Sequence, residues 1–126
     1  MIQSSLKTET KSRILIVDDE LELRSLLQIK FQKSGFNVDL AASGDEAAKK
    51  LTENEYSAVL CDLNLPNDPK GIQLYELINR QEKRPEFIVI TGYTQDSPEV
   101  RAARSAGIKY IFSKPLNLKS IFTLLA

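Results

Sequence analysis

The sequence predicts an α/β protein of five strands and five helices in strict alternation around a parallel sheet. Three observations predict it. Short apolar runs alternate with amphipathic stretches from Ser12 onward, as repeated strand and helix units require. Most of the runs are apolar without a period of two, which suits strands covered by helices on both faces. Helix caps and terminators fall at the boundaries between them.

In chain order, the first run is Arg13 to Val17, followed by Leu23, Leu26, Leu27 and Phe31 at helical spacing and by Gly35 as a terminator. The second run, Phe36 to Ala41, alternates Asn37 and Asp39 with Val38 and Leu40, the pattern of an edge strand with one wetter face. Ser43-Gly44-Asp45-Glu46 is a capping box that opens the second helix. The third run is Ser57 to Cys61, and Leu74, Leu77 and Ile78 mark the helix after it. The fourth run, Glu86 to Ile90, precedes Ser97-Pro98, a cap with proline at the first helical position, and Val100 and Ala103 point inward from that helix. The fifth run is Ile108 to Phe112, and a last helix begins near Asn117 with barely two turns before Ala126. Crossovers between parallel strands are expected to be right-handed. Periodicity does not set the strand order.

A length of 126 residues suits a single domain with one core. Residues 1–12 are expected to form a flexible N-terminal tail and residues 13–126 the domain. The apolar end Leu124-Leu125-Ala126 leads us to expect a longer parent chain. Seventeen basic residues balance seventeen acidic ones, so the positive field that nucleic acid or anionic membrane would demand is missing and a protein partner is the default. Apolar stretches such as Ile14 to Val17 stay at or below five residues, against the roughly 20 of a membrane helix. Cys61 is the only cysteine, which fits a reducing, cytoplasmic setting. With no histidine in the chain, any chemistry rests on carboxylates, hydroxyls and lysines.

That chemistry follows the strands. Asp18-Asp19-Glu20 come after the first run, Asp62 after the third, Thr91 after the fourth and Ser113-Lys114-Pro115 after the fifth. In a parallel sheet these positions share one edge, where ligands of open α/β sheets bind. Two carboxylates about 4 Å apart repel by roughly 4 kcal/mol at an effective dielectric near 20, so a cation belongs among them. An oxygen-only ligand set suits Mg²⁺, which keeps waters for a phosphate-bearing substrate. Beside such an ion a carboxylate can act as nucleophile towards phosphorus, with Lys114 pairing one phosphoryl oxygen and Thr91 donating to another.

Ile14-Leu15-Ile16-Val17-Asp18-Asp19-Glu20, Asp62-Leu63-Asn64-Leu65-Pro66, Ile90-Thr91-Gly92 and Lys114-Pro115 together resemble, in that order and across almost the whole chain, the response-regulator receiver family of two-component signalling. The resemblance implies a flavodoxin-like three-layer sandwich with strand order 2-1-3-4-5. It implies Asp62 as phosphoacceptor, Asp19 as a direct Mg²⁺ ligand, Asp18 acting through water, and the backbone carbonyl of Asn64 as a further ligand. Thr91 and Lys114 take the phosphoryl-binding roles, and the Lys114-Pro115 bond is expected to be cis. The implied partners are a histidine kinase or phosphotransfer domain on one side and an output domain or target protein on the other, with homodimerisation through the fourth helix, last strand and fifth helix. Such a domain is a switch that catalyses only its own phosphorylation and dephosphorylation.

Two departures from the family pattern stand out. Ile111, flanked by Tyr110 and Phe112, occupies the position three before the lysine where the family often has an aromatic switch residue. The segment Asn67-Asp68-Pro69-Lys70-Gly71 is about one residue longer and more polar than usual. Of the competing functions, Asp62-Leu63-Asn64 partly resembles the Asp-x-Asp motif of haloacid-dehalogenase-like phosphotransferases, but Asn64 cannot serve as their acid/base. A nucleotide or flavin carrier lacks its glycine-rich phosphate loop here. A receiver that binds partners without being phosphorylated is the remaining alternative.

Overall fold

The computed structural model describes residues 12–125; residues 1–11 of the expected tail, and Ala126, lie outside the described residues. The elements are β1 (Arg13–Val17), α1 (Leu21–Lys33), β2 (Asn37–Ala41), α2 (Gly44–Glu53), β3 (Ala58–Asp62), α3 (Gly71–Ile78), β4 (Glu86–Thr91), α4 (Pro98–Ser105), β5 (Tyr110–Ser113) and α5 (Leu118–Leu125). The sheet is parallel throughout, in the order β2-β1-β3-β4-β5. This is the flavodoxin-like arrangement, with the reversal of strand order between β1 and β3.

Alternate residues of the central strands feed two cores. Ile14, Ile16, Leu60, Ile88 and Ile90 pack with Leu27 and Phe31 of α1 and Ile121 of α5. Leu15, Val17, Val59, Cys61 and Val89 pack with Ala47 and Leu51 of α2, Leu74 and Ile78 of α3, and Val100 and Ala103 of α4. Both faces of β1, β3 and β4 are thereby covered, which explains their unbroken apolar runs. β2 is an edge strand, as its alternation predicts, and β5 is the other edge.

The strand boundaries differ from the expected ones for a physical reason. Phe36 and Ile108 sit in apolar runs but lie outside β2 and β5, because each closes the preceding helix. Gly35, at φ 96°, donates to Gln32 O at 3.0 Å, and Phe36 donates to Phe31 O at 3.1 Å. Gly107, at φ 109°, donates to Arg104 O at 3.0 Å, and Ile108 donates to Ala103 O at 3.2 Å. Both are Schellman closures, in which a left-handed glycine is followed by an apolar residue folded back on the last turn. The Phe31 and Phe36 rings meet edge-on at 5.5 Å as that apolar contact.

Two helical leucines differ from expectation as well. Leu26 and Leu77 are exposed, since each lies about 100° round its helix from the buried residue that follows it, Leu27 or Ile78. At α2 the box is shifted by one residue: Ser43 Oγ accepts from Glu46 N–H at 3.1 Å, but Glu46 Oε1 accepts from Ala42 N–H at 2.7 Å and not from Ser43. Ser97 caps α4 as predicted, its Oγ accepting from Val100 N–H at 3.2 Å.

Candidate functional site

β3 and β4 each run one residue further than the apolar pattern suggests, so that Asp62 and Thr91 are the last residues of their strands. Asp18 follows β1 directly and is fixed there by its N–H donating to Ala41 O at 3.1 Å. Lys114 follows β5, its N–H donating to Thr91 O at 2.7 Å. Parallel register sets Val17 beside Cys61, Asp62 beside Ile90 and Thr91 beside Ser113. The residues at the carboxyl ends of β1, β3, β4 and β5 therefore meet at one edge of the sheet.

Carboxylate oxygens of Asp18, Asp19 and Asp62 lie within 4.8 Å of one another. Asp18 is wholly buried, Asp62 nearly so, and Asp19 is exposed. Lys114 Nζ stands 3.9 Å from Asp18 Oδ2, 3.8 Å from Asp62 Oδ2 and 3.5 Å from Glu20 Oε1. At these distances the ammonium is a counter-charge shared among carboxylates, not a closed hydrogen-bonded pair with either aspartate. Among the described residues Lys114 faces four carboxylates, with the Arg24 guanidinium beside them on the Asp18 carbonyl at 2.8 Å.

Burial is the main influence on the two inner aspartates, and neighbouring charge adds to it. Burial, with the neighbouring Asp62 charge adding to it, raises the Asp18 carboxyl from 3.8 to about 6, against the lowering effects of the Glu20 N–H and Lys114. Burial likewise raises the Asp62 carboxyl, while the Asn64 N–H and Lys114 pull it down. Asp18 Oδ1 accepts from Glu20 N–H at 2.8 Å and Asp62 Oδ1 from Asn64 N–H at 3.0 Å. Asp18 Oδ2 is buried with no hydrogen-bond partner among the described residues. A buried carboxylate oxygen without a partner costs free energy on the scale of kilocalories, roughly 1–3 kcal/mol or more for a charged group. The orphaned oxygen, the oxygen-only donors and the excess negative charge all fit a hard divalent cation such as Mg²⁺.

Every residue singled out from the sequence reaches this edge: Asp18, Asp19, Asp62, Asn64, Thr91 and Lys114. The Lys114-Pro115 bond is cis, and so is Asp68-Pro69 in the loop after β3. That loop leans on α2: a Cβ at Gly44 would lie 1.8 Å from the Pro69 carbonyl oxygen, so glycine is required for the approach. Sequence reasoning did not assign Glu20, although it is the carboxylate nearest Lys114; the acidic triplet after β1 was its only signal. Nor did it find a side-chain chain around Thr91. Thr91 Oγ1 accepts from Tyr93 N–H at 3.1 Å, Ser113 Oγ donates to Tyr93 O at 2.9 Å, and Gln95 Nε2 donates to Ser113 Oγ at 2.9 Å. Only the β4–β5 register, which no local pattern encodes, brings Ser113 beside Thr91.

Fold and site together define a doubly wound α/β domain with a cation-demanding acidic cluster at the carboxyl ends of its strands. The chain belongs to the response regulator receiver domain family, which it matches over residues 14–126. It is 33% identical over 110 residues to the transcriptional regulatory protein SrrA of Staphylococcus aureus, an alignment covering 87% of this chain and 44% of that protein. The chain thus spans less than half the length of this curated relative. Among solved structures it superposes with a CheY-like receiver domain protein from Methanospirillum hungatei JF-1 at a TM-score of 0.81 and 27% identity, covering 92% of this chain and 91% of the other. It also superposes with the response regulator TrrA of Thermotoga maritima, determined in complex with Mg(2+)-BeF, at a TM-score of 0.75 and 29% identity over 90% and 96% of the two chains. No helix among the described residues is long and apolar enough to cross a membrane.

Proposed function

We propose that the domain accepts a phosphoryl group on Asp62 in a Mg²⁺-dependent reaction and passes the signal on by a change of shape. Asp18, Asp19, Asp62 and the backbone carbonyl of Asn64 would hold the ion. When bound, it supplies positive charge that lowers the repulsion between the aspartates and an incoming phosphate. The observation that carries the reading is the pair of buried aspartates, Asp18 and Asp62, that share Lys114 as counter-charge while Asp18 Oδ2 has no hydrogen bond among the described residues.

The chain's own residues then have distinct tasks. The Asn64 N–H fixes Asp62 through Oδ1, which orients the carboxylate for in-line attack on phosphorus. As the new O–P bond forms, the P–N bond to a donor histidine breaks and its electron pair returns to the imidazole nitrogen. Lys114 and the Thr91 hydroxyl stabilise the charge that spreads over the equatorial oxygens. Because this chain has no histidine, the donor is a separate histidine kinase or phosphotransfer domain, in a cytoplasmic setting. The output is an attached domain or target protein that reads the α4, β5 and α5 face, through which the domain can also pair with a second copy. Phosphorylation shifts a pre-existing equilibrium of that face.

The test is incubation with acetyl phosphate and Mg²⁺ followed by intact mass measurement. The wild type is expected to gain about 80 Da, one phosphoryl unit, and Asp62→Asn to gain nothing. Equal labelling of both would remove Asp62 from its role. Labelling of neither would favour a module that binds partners unphosphorylated.

A further inference from the structure

Ile111 stands where receivers often carry an aromatic switch residue, and it is a packing residue, 8% exposed within the α2–α3–α4 core. Its side chain has no polar group with which to report the state of Thr91. The polar chain beginning at Thr91 does. Thr91 is wholly buried, and its Oγ1 accepts the Tyr93 N–H. The Tyr93 carbonyl accepts from Ser113 Oγ, and Ser113 Oγ accepts from Gln95 Nε2. Gln95 Nε2 also donates to Ile111 O at 3.3 Å, and Gln95 Oε1 accepts from the Arg104 guanidinium in the last turn of α4. Both faces of one carboxamide are engaged, one on β5 and the other on α4.

From this geometry we infer that Gln95 and Ser113 are positioning residues for Thr91: they clamp the main chain of Tyr93 to β5 and carry any movement of Thr91 to α4 through Arg104. The inference rests on the phosphoryl-accepting role of Asp62 and extends it to how the signal leaves the site. The chain is continuous. Lys114 N–H holds Thr91 O and Ser113 Oγ holds Tyr93 O, so the end of β5 grips both sides of the Thr91–Tyr93 segment. That segment cannot move towards a phosphoryl oxygen on Asp62 without reseating the Ser113 contact. Gln95, which holds both Ser113 and Arg104, then turns a loop displacement into a displacement of the α4 surface. A contiguous chain of hydrogen bonds of this kind is the physical connection through which coupling between distant groups travels.

The experiment compares backbone amide shifts of the full chain with and without Mg²⁺ and beryllium trifluoride as phosphoryl stand-in. In the wild type, amides at Asp62 and Asn64 and those of Arg101 to Ser105 in α4 are expected to move together. In Gln95→Ala and Ser113→Ala the Asp62 and Asn64 shifts should persist while the α4 shifts fall at least about threefold, as expected when a coupling element is removed. Ser113→Thr, which keeps the hydroxyl, should restore them. Gln95→Glu should not, because a carboxylate has no N–H for Ser113 or Ile111 even though it retains Arg104. Exchange of the Tyr93 amide in the metal-free protein should quicken about fivefold in Ser113→Ala, which removes the side-chain hydrogen bond that holds the Tyr93 carbonyl to β5, the factor for one hydrogen bond of ordinary net strength. Wild-type α4 shifts in both alanine variants, or unchanged Tyr93 exchange in Ser113→Ala, would overturn the inference. Absence of any shift at Asp62 and Asn64 in the wild type would instead bring down the phosphoryl reading, and the inference with it.

Discussion

Lys114 Nζ lies 3.8 Å from Asp62 Oδ2, close enough to lower its charge repulsion and too far to close a hydrogen bond with it. The ammonium is shared with Glu20, at 3.5 Å, and with Asp18, at 3.9 Å. Its contribution should therefore appear when negative charge moves onto the phosphoryl oxygens, and much less in the resting protein.

Lys114→Met is expected to slow labelling by acetyl phosphate on the order of 10²-fold, the usual effect of removing one preorganised charge from a transition state. Mg²⁺ affinity, measured by calorimetry, should stay level or tighten, because a competing cation has gone. A loss of Mg²⁺ binding in step with the loss of rate would show that Lys114 serves the ion site instead.

The raised Asp18 carboxyl sets the pH dependence of the metal-free fold. Its native pKa of about 6 exceeds the ordinary 3.8, so between those values the folded chain holds a proton that the unfolded chain has released. Stability then falls as pH rises through that window, by about 1–3 kcal/mol, and this contribution is flat above it. The raised Asp62 carboxyl acts with the same sign. Urea midpoints in chelator should be higher at pH 5 than at pH 7.5. Mg²⁺ should recover the difference at pH 7.5, by about 2.7 kcal/mol at 100 times its dissociation constant. Asp18→Asn should flatten the slope and weaken the Mg²⁺ effect; an unchanged slope would mean that Asp18 titrates normally.

Much of this site was legible in the sequence because its residues sit at strand ends, and strand ends are marked by the switch from apolar to polar residues. Asp62 and Thr91 could be placed at one sheet edge without knowing the strand order, since every parallel strand presents its carboxyl end there. Glu20 as partner of Lys114, and the Thr91–Tyr93–Ser113–Gln95 chain, could not be. They depend on side-chain reach and on which strands are neighbours, and those follow from packing of the whole sheet. Phe36 and Ile108 were misplaced for a related reason: an apolar residue after a left-handed glycine looks the same in sequence whether it starts a strand or closes a helix.

Gly44 separates helix propensity from steric demand. Glycine to alanine in a helix ordinarily stabilises by about 0.5–1 kcal/mol. Here the added Cβ would lie 1.8 Å from Pro69 O, so the loop after β3 or the start of α2 must shift. Gly44→Ala should therefore destabilise by about 1–3 kcal/mol in urea unfolding, and it should perturb the amides of Asn67, Asp68 and Lys70. A stabilised variant would mean that the loop yields freely, and that its lean on α2 matters little to the fold.

The last helix ties stability to the site. Over the described residues α5 spans Leu118–Leu125 and docks through Ile121, wholly buried, and Phe122. The Phe122 ring meets Phe31 edge-on at 4.9 Å and stacks with Phe36 at 6.3 Å. These contacts join α5 to α1 and anchor the segment that follows Lys114-Pro115. Phe122→Ala should cost about 2–3 kcal/mol, less than a fully buried phenylalanine because the residue is only partly buried. If that anchor also fixes Lys114, acetyl phosphate labelling at a temperature where the variant is folded should slow a few-fold while Mg²⁺ affinity holds. Unchanged labelling alongside lost stability would show that the Lys114 N–H bond to Thr91 O positions the ammonium without help from α5.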